Sequence, residues 1–167
     1  MRKTTLLLAL FIFVLCSINA QTVTIGKQVW MAKNLNVEVF RNGDSIPEVK
    51  TNEEWEKAWK KGKPAWCYYD NNPANGTKYG KLYNWFAVND PRGLAPKDWH
   101  IPSDSEWTVL TDFLGGEDVA GKKMKSTSGW QNNGKGNNKS GFSCLPGGCL
   151  VANASSICSN LSKSPNT

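Results

Sequence analysis

Apolar residues fall along the chain in short bursts, and only Leu6 to Leu15 runs unbroken. Downstream, Val23-Thr24-Ile25 and Gln28-Val29-Trp30 flank Gly26-Lys27. Glycine at the first of two turn positions predicts a type II′ hairpin. Val37 and Val39 alternate with Glu38, and Asn42-Gly43 gives a second hairpin signal. Thr51 to Glu54 reads as a capping box, and Trp55, Ala58 and Trp59 then recur at i, i+3, i+4, one apolar face of a helix that Gly62 and Pro64 end. Ala65 to Tyr69 is an aromatic strand candidate, and Asp70 to Lys78 a loop. Leu82, Trp85 and Phe86 fit a helix face, while Tyr83, Trp85 and Ala87 fit a strand; the segment is too short for periodicity to choose. After the extended piece Trp99 to Pro102, Ser103 to Glu106 forms another capping box. Trp107, Leu110 and Leu114 mark the buried face of its helix, and Gly115-Gly116 stops it. Gly129 to Gly141 is a polar loop, and Gly141-Phe142-Ser143 opens a further strand.

The first twenty residues read as a secretory signal peptide. Arg2 and Lys3 supply the positive start, Leu6 to Leu15 the apolar middle, and Ile18-Asn19-Ala20 the cleavage site, after Ala20. The apolar run falls short of the about 20 residues that span a bilayer. Cys16 follows Leu15 rather than a small residue, so plain cleavage is expected ahead of lipidation. What remains has single-domain length and no further apolar run, so a secreted or cell-surface protein without a transmembrane segment is expected.

The formal charge is +6, two of it from Arg2 and Lys3. The lysine clusters Lys57/Lys60/Lys61/Lys63 and Lys122/Lys123/Lys125 hold no arginine and no interleaved aromatics suited to stacking bases, which argues against nucleic acid and for a solvated surface. Beyond the leader stand Cys67, Cys144, Cys149 and Cys158. Export permits disulfides among them, in three connectivities. Zinc is weakly supported, with no C-x-x-C pair and one histidine, His100, for which no Cys or Asp spacing supplies a partner.

The stretch Tyr79-Gly-Lys-Leu-Tyr-Asn-Trp-Phe-Ala-Val-Asn-Asp-Pro-Arg-Gly-Leu-Ala-Pro-Lys-Asp-Trp-His-Ile-Pro-Ser-Asp-Ser-Glu-Trp107 resembles the Fibrobacter succinogenes major paralogous domain, an extracellular bacterial module. Ile25-Gly-Lys-Gln-Val-Trp-Met-Ala-Lys-Asn-Leu35, Cys67-Tyr-Tyr-Asp-Asn-Asn-Pro-Ala-Asn-Gly76 and Ser140-Gly-Phe-Ser-Cys-Leu-Pro-Gly-Gly148 resemble its other motifs, so the likeness covers 23–148. It implies an α+β, C-type-lectin-like fold: a short antiparallel sheet with two or three helices. That fold is shared by the formylglycine-generating enzymes, whose strand-to-helix corner Pro102 to Trp107 resembles. Residues 149–167 do not resemble the family's closing strands, lack Trp, Tyr and Phe, and are rich in Ser and Asn. They are expected to be a truncated or frameshifted, loose end, leaving the fold incomplete at its C-terminus.

The expected role is a non-catalytic module binding glycan or a surface protein. The alternatives are a purely structural envelope domain and an oxidase of the formylglycine-generating type. The oxidase needs a reactive cysteine pair, and the surroundings of Cys144 and Cys149 do not resemble one. No cofactor is expected. Asn89-Asp90 resembles the Asn-Asp pair of lectin calcium sites, but calcium takes six or more oxygens and Asn89 to Gly93 is good turn chemistry. Most of the eight tryptophans read as core. Trp66, Trp85 and Trp130 are least constrained by pattern; with Asn89 and Asp90 they are the candidate ligand-binding residues.

Overall fold

A computed structural model describes residues 22–150 and the short strand at 157–158. The stretch read as a signal peptide lies outside the described residues, as does most of the segment read as a loose end.

Strands β1 (Thr22–Ile25) and β2 (Gln28–Met31) pair antiparallel, with Val23 opposite Trp30 and Ile25 opposite Gln28. Gly26 has φ +61°, while Lys27 is not left-handed, as a type II′ turn requires. The second hairpin signal yields one bridge, Val39 to Ser45, around a tight loop that buries Phe40 and Ile46. Helix α1 (Asn52–Lys60) starts where Thr51 Oγ1 accepts from the Glu54 amide at 3.2 Å. The Glu54 carboxylate reaches one residue further back than in a standard box, to the Lys50 amide. Trp55 is buried, and Trp59 is edge-on to Phe86.

Strand β3 (Trp66–Cys67) pairs antiparallel with β4 (Leu82–Tyr83). Between them the expected loop holds two 3-10 turns and the single-turn helix α2 (Gly76–Tyr79). The helix-or-strand ambiguity at 82–87 resolves as both. Strand β4 gives way at Asn84, whose side chain accepts from the Ala87 amide and caps helix α3 (Trp85–Val88). Helix α4 (Asp104–Phe113) carries the full Ser103/Glu106 capping box, and Gly115 and Gly116, both at positive φ, end it. Helix α5 (Glu117–Met124) follows at once. The strand expected at Gly141 does not form: Gly141 and Ser143 are left-handed, which breaks an extended run, and only Cys144 bridges, to Lys125. Strands β5 (Cys149–Leu150) and β6 (Ile157–Cys158) form a third antiparallel pair.

The described residues therefore form a mixed α and β structure with three two-stranded antiparallel sheets and five helices. The expected helix number was two or three. The additional ones are the single turns α2 and α3, and α5.

Two apolar clusters hold these elements. In the first, Ile25 and Trp30 of the β1–β2 hairpin pack on Leu110 and Leu114 of α4 and on Ala120 of α5, with Val23, Met124 and Phe142 around them. The second gathers Phe40, Ile46, Trp66, Ala87 and Leu94. Each large side chain so buried contributes about 1.5–3 kcal/mol.

Candidate functional site

A groove of about 1390 Å³ is lined by β2 and residues 32–36, by loop 95–102, by the start of α4 and by residues 142–145. Its walls are fixed by side chains reaching backbone. Gln28 Nε2 donates to the Glu106 carbonyl at 3.0 Å and ties β2 to the first turns of α4. Arg41 donates to the Ala95 carbonyl through Nε and Nη2 and to the Trp99 carbonyl through Nη2, clamping the opposite wall. Asn34 Nδ2 donates to the Tyr79 carbonyl. Gly80, at φ +67°, lies against the Leu35 carbonyl so closely that a Cβ would collide with it.

Three aromatic rings line the groove together. Trp30 and Trp107 have ring centroids 4.7 Å apart, and Phe142 lies 5.8 Å from Trp30 and 6.1 Å from Trp107. Trp30 is buried, whereas Trp107 keeps 38% of its surface open. The Trp30 indole N–H is buried with no hydrogen-bond partner, a donor of the sort usually satisfied in folded proteins.

Polar groups stand at the same groove. His100 Nε2 lies 2.7 Å from Glu106 Oε1, and Glu106 Oε2 accepts from the Ser103 amide and hydroxyl, each at 2.8 Å. The Ser103 amide, the Ser103 hydroxyl and His100, in that order, hold the Glu106 carboxyl down to about 2. The carboxylate is thus ionised at neutral pH, so His100 Nε2 is the donor. The partner that sequence spacing did not supply for His100 is this glutamate across the strand-to-helix corner. The serine here bonds to the glutamate rather than to the imidazole, so these three residues do not form a nucleophile–base pair.

The candidate ligand-binding residues read from sequence stand elsewhere, and none of them lines the groove. Trp66 is a correction: it is only 4% exposed, its N–H donates to the Ile46 carbonyl at 2.8 Å, and Tyr68 packs edge-on against it. Pairing of β3 with β4 places it in the second cluster rather than at the surface. Trp85 is 59% exposed at the start of α3. Trp130 is half-buried, donates to Ser126 Oγ at 3.0 Å, and has the Lys125 ammonium 4.7 Å from its ring centroid. Asn89 is the exposed C-cap of α3.

Asp90 is held by Arg92. Its Oδ1 accepts from the Arg92 amide and Nε, and its Oδ2 from Nη2, all within 3.0 Å. Arg92 also pairs with Asp44 at 3.0 Å and lies over the Phe40 ring. A calcium ion on Asp90 would have to displace a guanidinium from both carboxylate oxygens, so the turn accounts for this pair. Among the described residues no three His, Cys, Asp or Glu side chains are grouped to hold a metal ion.

Lys81 is a polar residue that sequence reading passed over. Its side chain is 3% exposed, and its ammonium lies 2.5 Å from Asn36 Oδ1 and 3.2 Å from Glu38 Oε1. It also faces the rings of Trp66 and Tyr68 at 4.5 and 5.0 Å from their centroids. These contacts pin residues 36–38 to the second cluster, beside the groove wall. No helix among the described residues is long and apolar enough to cross a membrane.

A family model described as the Fibrobacter succinogenes major domain matches residues 23–163, extending past Gly148, where the resemblance read from motifs ends. No curated protein and no solved structure matches the chain.

Proposed function

We propose that this chain, which belongs to the Fibrobacter succinogenes major domain family, is an exported, non-catalytic module that binds glycan in the groove between β2, loop 95–102 and α4. The observation that carries the reading is the part-open Trp107 ring beside Trp30 and Phe142, with His100 and Glu106 at the same groove. A sugar ring offers an apolar C–H face and a rim of hydroxyls. A flat aromatic surface suits the first, and an ionised carboxylate and an imidazole suit the second. The volume exceeds the usual span of about 300–1,000 Å³ for small-molecule pockets, which favours several linked sugar rings over one. Export rests on the charged start, the apolar run and Ala20. A C-type-lectin-like fold remains part of the same proposal, carried by the resemblance of Tyr79 to Trp107.

The test is a glycan array and a plant-polysaccharide pull-down, followed by titration of any hit against Trp107→Ala and Trp85→Ala. Losing one stacking face should weaken binding about two- to twelvefold for Trp107→Ala, corresponding to about 0.5–1.5 kcal/mol. Trp85→Ala should bind as the wild type does. The reverse pattern would move the site to α3.

One observation favours a second reading, a structural module packed against other proteins. Val109, Phe113 and Val119 of α4 and α5 stand exposed, as does Val29 of β2. No binding on the array or in the pull-down, with and without calcium, would support it.

A further inference from the structure

We propose that the end of α1 and the start of α3 form a docking face for the surface of an anionic lipid bilayer, because lysine ammoniums and exposed tryptophan rings are held together there. Helix α1 ends in a Schellman motif: Gly62, at φ +63°, donates to the Trp59 carbonyl at 3.0 Å, and Lys63 donates to the Ala58 carbonyl at 2.9 Å. That turn is laid on α3. Phe86 packs edge-on to Trp59, and its ring lies 3.6 Å from the position a Cβ on Gly62 would take. The Asn84 side chain, which caps α3, also donates to the Lys63 carbonyl at 2.8 Å. Lys57, Lys60, Lys61 and Lys63, all exposed, are thereby set beside Trp59, Trp85 and Phe86.

Local structure explains only part of this grouping. Cations in the last turn of a helix offset its dipole, which accounts for Lys57 and Lys60. Lys61 and Lys63 lie past the helix. Lys60 pairs with Glu56, whereas Lys57, Lys61 and Lys63 have no ion-pair partner among the described residues. Trp59 and Trp85 keep 39% and 59% of their surfaces open, and large apolar groups left open in one place mark an interaction surface.

Charge complementarity calls for an anionic partner, and the geometry chooses among such partners. Trp59 and Phe86 are inclined at 61° and so offer no flat platform for a sugar ring. A bilayer interface needs no platform: tryptophan lies there at headgroup level, its apolar body toward the chains and its N–H toward water. The cluster holds lysine without arginine. Ammoniums act as point charges on a field of lipid phosphates, whereas paired recognition of one carboxylate favours a guanidinium fork. None of these residues lines the groove, so the two surfaces can be tested apart.

The full chain would be sedimented with sucrose-loaded vesicles of phosphatidylcholine alone, and of phosphatidylcholine and phosphatidylglycerol in equal parts. Binding should favour the mixed vesicles and fade as salt rises from about 0.1 M to about 1 M, where the screening length falls from about 10 to about 3 Å. A lysine near an anionic surface contributes about fivefold in affinity, so Lys57→Gln/Lys61→Gln/Lys63→Gln should lose on the order of a hundredfold. Lys122→Gln/Lys135→Gln/Lys139→Gln removes the same charge from exposed lysines elsewhere and should keep most of the binding. Residues 1–20 are common to all these chains and drop out of the ratios. Trp85→Ala should also weaken binding to the mixed vesicles. Equal binding to both vesicle types, or equal losses in the two triple variants, would overturn the proposal. So would capture by a soluble polyuronate that the first triple variant abolishes while vesicles stay unbound, which would reassign the face to acidic glycan.

Discussion

At the scale of single residues, Glu106 does most for its size: one carboxylate closes the α4 capping box and holds His100 at the groove. Its folded carboxyl lies at about 2 against an ordinary 4.5. A depressed carboxyl stabilises the fold fully above the unfolded value and loses that contribution as pH falls through the folded one. Thermal melts from pH 5 to pH 2 should therefore show Glu106→Gln flatter in its acid limb than the wild type. An unchanged limb would mean that the contacts around Ser103 carry no stability. Gly80 offers a second test. Its backbone, at φ +67° and ψ −141°, suits glycine alone, and a Cβ would strike the Leu35 carbonyl. Gly80→Ala should cost about 1–3 kcal/mol or more in a urea titration. Some of these roles were legible in sequence and others were not. Asn89-Asp90 reads correctly as a turn, but Arg92 as the carboxylate's partner depends on how that turn folds back. Trp66 and Trp107 mislead in opposite senses. A two-residue strand gives no alternation to reveal that Trp66 is buried, and helical spacing assigns Trp107 to the core although it sits where α4 emerges from it.

At the scale of elements, the termini carry more information than the faces do. Helix α4 is bounded by Ser103 and by Gly115-Gly116, and both signals are local backbone chemistry that sequence shows directly. Ser103→Ala removes the cap and should lower stability by about 0.5–2 kcal/mol. Leu110→Ala empties a fully buried site between α4 and the hairpin and should cost about 2–5 kcal/mol. Equal losses for the two variants would show that the cap contributes as much to holding α4 as its buried face does. Helix α5 escaped sequence reading because it has a glycine in its middle, four charged positions among its eight residues, and only Ala120 fully buried. Its order comes from tertiary support: Lys123 Nζ donates to the Leu114 carbonyl at 2.6 Å and ties it to the end of α4. The strand and helix either side of Asn84 were each half-visible, because one residue that both ends a ladder and caps a helix blurs two periods into one short segment.

At the scale of the whole molecule, the mixed α and β character follows from the alternation of hairpin and capping signals along the chain. The separation into two apolar clusters does not, since it depends on which distant segments meet. The clusters share no buried residue. Leu110→Ala and Phe40→Ala should accordingly add, within about 0.3–0.5 kcal/mol, when combined in one chain and measured by urea unfolding. A larger coupling would show that the groove walls transmit strain between them. The groove was illegible for the same reason as the clusters. Trp30, Trp107 and Phe142 come from three parts of the sequence, and only the docking of the hairpin on α4 brings them together. One consequence reaches into the handling of the protein. Arg41 is clamped on the Ala95 and Trp99 carbonyls, and Arg92 is locked between Asp44 and Asp90. An arginine-specific protease draws the guanidinium into an acidic pocket of its own, and here both are already engaged. Cleavage after either arginine then reports opening of the chain, so brief digestion across a denaturant series gives a gel-based unfolding curve without any label.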